Sequence, residues 1–195
     1  MCNTYEIYVN VKSTVKNADK WESIIMQWIE NNKQYLEANG FNDSAYWHNE
    51  MANISCLVGA IWKVGGVAIS EYTTTKGGGQ KDYSRADLYF SIDGIKYLVE
   101  SKYLRDHETK NVNKNNIESE MEQAVGECKS IKDGYVHNRM ALVFAVPTDK
   151  VQIKLNDYKY DIQVMLKING RKNLQYDGKN YNTVYLFGTY VNTMK

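Results

Sequence analysis

Asp87, Glu100 and Lys102 are the residues whose types and spacing can do chemistry together. They lie in RADLYFSIDGIKYLVESK, residues 85 to 102, where two alternating runs surround an Asp-Gly pair. Asp-Gly between such runs favours a two-residue type I′ turn, because both central positions need positive φ. With Asp93 and Gly94 as the loop, Ile92 faces Ile95, Phe90 faces Tyr97, Leu88 faces Val99, and Asp87 faces Glu100. Side chains alternate along a strand, so Leu88, Phe90, Ile92, Ile95, Tyr97 and Val99 form a core face. Arg85, Asp87, Tyr89, Lys96, Glu100 and Lys102 fall on the other face, around Leu98.

Opposed side chains have Cβ atoms roughly 4.5 to 5.5 Å apart, and two carboxylates held so repel unless something compensates. A divalent cation compensates and also does chemistry. Mg²⁺ takes one or two carboxylates and keeps its other positions for water and substrate phosphate. Lys102, on the face of Glu100, is placed to hold an attacking water or a phosphate oxygen. The set suits metal-assisted phosphodiester hydrolysis. On the blander reading the same residues make a solvated sheet face, with Arg85 and Lys102 balancing the acids as surface ion pairs.

Asp87, then Glu100-Ser101-Lys102 on the next strand, within the order helix-strand-strand-strand-helix-strand over residues 44 to 147, resembles the core of the PD-(D/E)XK nuclease superfamily. The resemblance implies a restriction-endonuclease-like α/β fold, with a mixed central sheet flanked by helices. It implies Mg²⁺, with Mn²⁺ as a substitute, bound by Asp87, Glu100 and the Ser101 carbonyl, and Lys102 as the catalytic lysine. Ala86 stands where the family has its nominal proline. Many members add a glutamate from the preceding helix, and Glu50 is the candidate, about 60° from the centre of its helix's apolar stripe. Glu71 is the second choice for that role. Gln123 matches a glutamine of some branches but falls off the stripe of its helix. The implied substrate is DNA, with an RNA-cleaving relative the weaker option. Cutting both strands suits a homodimer, for which the Tyr-rich stretch Tyr181 to Tyr190 offers an interface. The rival reading is a module of the same fold that binds DNA or a protein without turnover.

The elements that must position these residues follow from periodicity. Tyr5 to Val11 alternates as an edge strand, and Asp19 to Asn39 has helical spacing up to Gly40. A helix over Ser44 to Lys63 carries Trp47, Met51, Ile54, Val58 and Ile61 and stops at Gly65-Gly66. Val67 to Thr74 is a strand, KGGGQKD (residues 76 to 82) a loop, Asn113 to Lys132 a third helix, and Arg139 to Val146 a buried strand before Pro147. From Val151 a β meander turns at Asn169-Gly170 and Asp177-Gly178, an elaboration of the same single domain. The four tryptophans read as core.

Lys plus Arg number 24 against 23 Asp plus Glu, so any nucleic-acid surface must come from local clustering. Lys76, Lys81, Arg85, Arg105, Lys110 and Lys114 bracket the hairpin with such charge. Cys2, Cys56 and Cys128 lack the spacing of a zinc site or a disulfide framework. His48, His107 and His137 fit no zinc site either. The glycine run lacks the Gly-Lys-Ser/Thr of a phosphate loop, which disfavours a nucleoside-triphosphate enzyme. The opening residues MCNTYEIYVN show no basic start followed by an apolar run, and nowhere are eighteen consecutive residues apolar, so a cytoplasmic protein without a leader is the expectation.

Overall fold

Thr4–Val11 form strand β1, Ala18–Ala38 helix α1, Glu50–Lys63 helix α2, Val67–Thr75 strand β2, Tyr83–Ile92 strand β3 and Ile95–Arg105 strand β4. Helix α3 spans Lys114–Ser130, and strands β5 to β9 span Asn138–Val146, Ile162–Asn169, Gln175–Tyr176, Lys179–Asn180 and Thr183–Val191. This computed structural model describes residues 4–75, 83–106, 111–170 and 174–191. The 76–82 loop, with Lys76 and Lys81, lies outside the described residues, as do Cys2, His107 and Lys110.

Seven strands form one mixed sheet in the order β1-β6-β9-β5-β4-β3-β2. β4 and β5 are parallel and joined by α3, while the other neighbours run antiparallel. The chain is therefore an α/β protein, with helix, three antiparallel strands, helix and parallel strand in succession from α2 to β5.

The two sheet faces bury different side chains. Trp21, Trp28, Ile54, Leu88, Phe90, Tyr97, Val99 and Phe144 make the core beneath α1 and α2. Trp21 meets Phe90 edge-on at 5.2 Å, and Phe90 stacks on its cross-strand partner Tyr97 at 4.7 Å. These arrangements strengthen apolar burial with ring geometry. Ile117, Met121, Ala124 and Cys128, which recur at helical spacing as the apolar stripe of α3, pack on the opposite face against Leu104, Val143 and Phe187.

Three expectations change. The helix read over 44 to 63 is two pieces, a 3-10 turn at Ala45–Trp47 and then α2 from Glu50. Asn49 caps α2 by accepting from the Ala52 N–H at 2.8 Å, and such a side chain competes with a continuous helix for backbone donors. Trp62 is 54% exposed rather than core, its indole N–H donating to the Ala68 carbonyl over the start of β2. The C-terminal strands are not an appendage to residues 44 to 147: β9 inserts between β5 and β6, and β6 carries β1. Tyr181 and Tyr185 are accordingly buried, and both edges of β9 are already paired, so that stretch presents no free strand edge. No helix among the described residues is long and apolar enough to cross a membrane.

Candidate active site

The hairpin closes as its turn chemistry dictates. Asp93 and Gly94 have φ of 50° and 75°, and the ladder runs from Ile92 opposite Ile95 to Leu88 opposite Val99. There it stops. The expected next pair, Asp87 with Glu100, is not part of it. On the other side of β3, Ser70 pairs with Leu88 and Tyr72 with Ala86, while Glu71 between them adopts φ 55°.

Ala86 packs with Leu98, Ile131 and Tyr72, whereas Leu88, two residues on, belongs to the core under α1 and α2. Residues two apart on a regular strand share a face. Asp87 therefore sits where β3 changes phase. Its Oδ2 accepts from the Ser101 N–H at 2.6 Å and the Ser101 hydroxyl at 3.0 Å. The carboxylate takes a β4 donor that a regular ladder would give to a backbone carbonyl.

Burial raises the Asp87 pKa, against the pull of the two Ser101 donors and the Lys102 charge, with Glu127 adding a push upward. Glu50, first residue of α2, is the nearby acid. Burial and then the Asp87 charge drive its pKa to about 7, opposed by Lys102 and a Ser101 hydrogen bond and reinforced by Glu127. A first-turn glutamate ordinarily gains from the helix dipole, so the upward shift reports burial first and the like charge of Asp87 second, which together outweigh that gain.

Lys102 points to α3. Its ammonium lies 2.8 Å from the Glu127 carboxylate, with the lysine side chain only 20% exposed. Burial pulls its pKa down, but the hydrogen bond and charge of Glu127, with Glu50 and Asp87, outweigh that and leave it raised. Glu100 is 1% exposed and lies beneath α3. The Cys128 thiol, pushed up to about 12 chiefly by burial, feels both the Glu100 and Asp87 charges.

The structure thus gathers Glu50, Asp87, Ser101 and Lys102, adds Glu127, and sets Glu100 under the adjoining helix. The sequence reading missed Glu127; the available signal was its place one residue before Cys128 of the α3 stripe. Glu71 is paired with Arg85 at 2.9 Å, and Gln123 is exposed. Arg105 donates to the Trp47 carbonyl and lies 4.6 Å from the Tyr176 ring, which makes it a structural tether. Lys114 is 3.8 Å from Glu118. His48 is paired with Asp43 at 2.8 Å.

Among the described residues no three His, Cys, Asp or Glu side chains converge as a metal cage. Glu50 and Asp87 nonetheless present carboxylate oxygens, the donors that Mg²⁺ takes in ones and twos. Comparison with protein families, curated proteins and solved structures finds no match.

Proposed function

We propose that this chain is a metal-dependent endonuclease of the PD-(D/E)XK type, built on a restriction-endonuclease-like core from α2 to β5. The observation that carries the reading is the half-buried carboxylate pair Glu50 and Asp87, with raised pKa values, beside Ser101 and Lys102 at the open end of the hairpin. Excess carboxylate in a partly buried place is costly unless a cation joins it. Asp87, Glu50 and the Ser101 carbonyl would hold Mg²⁺, or Mn²⁺, with Glu100 completing the set from beneath α3. The bound ion supplies a more acidic water and charge stabilisation on the phosphate.

The protein's own groups then have separate tasks. Ser101 fixes the Asp87 carboxylate through two hydrogen bonds, so that it is oriented before substrate arrives. Lys102, held by Glu127, presents positive charge to a phosphate oxygen or a water proton. DNA is the proposed substrate, RNA the weaker choice, and a homodimer would not form through the edges of β9.

The test is a cleavage panel on linear, circular, single-stranded and branched DNA with Mg²⁺, Mn²⁺ or EDTA. Metal-dependent nicking that disappears in Asp87→Asn is expected, and unchanged cleavage in that variant would remove the proposal. One observation favours a second reading: Lys102 is engaged by Glu127, and Glu100 is buried, as in a module that keeps the fold and binds DNA or a protein without turnover. Nucleic-acid binding with every substrate left intact would select it.

A further inference from the structure

At the carboxyl ends of the parallel strands β4 and β5 lies a cavity of about 710 Å³ that the acid cluster does not use. Asp106, following β4, ties this end together: its carboxylate accepts from the Val112 N–H and from the N–H and hydroxyl of Thr148, at 2.8 and 2.9 Å for the latter two. The floor is therefore cross-tied by one carboxylate. The carboxyl ends of parallel strands are where open α/β sheets take ligands.

Size and lining narrow the ligand. Small-molecule sites measure roughly 300 to 1,000 Å³ and combine apolar walls with a few placed polar groups. Here Val112 and Val151 supply wall, and Asn111, Gln175 and Asn180 supply carboxamides. A carboxamide offers a donor and an acceptor side by side, the pattern that reads the edge of a nucleobase. Lys179, at the same wall, suits the attached phosphate.

We infer that this cavity receives one unpaired base of the nucleic acid whose backbone the acid cluster addresses, an inference that rests on the nuclease reading. Asp106 stands four residues beyond Lys102 on an extended chain, about 13 Å at roughly 3.3 Å per residue. That is the span of roughly four stacked nucleotides at 3.4 Å each. Drawing a base from a duplex is costly, and less so where it is mismatched, damaged or already single. The substrate class is therefore nucleic acid with an unpaired nucleotide near the cut.

Fluorescence anisotropy with a labelled single strand and with its perfect duplex, both in EDTA, tests this without any need for turnover. The single strand is expected to bind at least tenfold more tightly than the duplex. Val151→Trp, which fills the cavity, and Gln175→Ala, on an exposed residue that a fold defect would spare, should each weaken single-strand binding severalfold and leave duplex binding unchanged. Equal affinities, no binding, or full affinity in both variants would overturn the inference. Cavity-dependent binding by a protein that cleaves nothing would remove the nuclease reading alone, whereas cleavage with cavity-independent binding would remove only this one.

Discussion

Each end of the β3–β4 ribbon carries an aspartate, and the two are held for opposite purposes. Asp93, at the closed end, is 57% exposed and reaches Lys20 at 3.1 Å. Its service is to the backbone, at a turn position that needs positive φ. Asp87, at the open end, is half-buried, interrupts the ladder and takes hydrogen bonds from Ser101. Local chemistry decides the first end, and packing of α2 and α3 against the sheet decides the second. An irregular strand at a charged, partly buried position is costly, which is how sites for chemistry differ from the scaffold around them.

The largest effect expected at the open end is on cleavage. Asp87→Asn or Glu100→Gln should lower Mg²⁺-dependent hydrolysis by at least about a hundredfold, since even outer-shell changes at metal sites cost about ten- to a hundredfold. Circular dichroism should show the fold retained. Wild-type rates in either variant would mean that the open end is scaffold too.

Next comes pH. The Glu50 pKa stands near 7 in the folded chain against 4.5 for the unperturbed group, so the folded state binds the extra proton between those values. Its stabilising contribution is complete below about pH 4.5 and is lost as pH rises through about 7. Melting curves in EDTA should therefore show Tm falling from pH 5 to 8, and Glu50→Gln should flatten that fall. An unaltered slope would place Glu50 in water, away from Asp87. Mg²⁺ should raise Tm more at pH 8 than at pH 5.

At the closed end, Gly94→Ala places a side chain at φ 75° and should cost about 1 to 2 kcal/mol in chemical denaturation with little change in cleavage per folded molecule. Smallest of all is Glu127→Gln. Its ion pair with Lys102 is partly exposed, so the stability change should stay below about 1 kcal/mol. A larger loss would show that Lys102 is held chiefly for the fold.

The closed end, the stripe of α3 and the core face of the hairpin were legible because each depends on residues close in the chain. Asp-Gly sets a register that the ladder from Ile92 to Leu88 obeys. Asn49 was hidden because a cap and a helix interior look alike until the competing backbone donor is located. The phase change at Asp87 was not legible, since it needs Glu71 in the left-handed region and Ala86 drawn toward Leu98, two strands acting together. Glu127 meets Lys102 only because α3 crosses from β4 to β5. The membership of β6 and β9 in the central sheet could not be read from alternation, which reports that a strand exists without naming its neighbour.

The pairing of β1 with β6 has a consequence for how the molecule is made. Thr4 lies opposite Asn169 and Val11 opposite Ile162, so β1 has no strand partner until a segment far along the chain emerges. Such distant partnering slows folding, because a long stretch of chain must be closed before the contact repays it. During synthesis, the edge of β1 must therefore wait for β6.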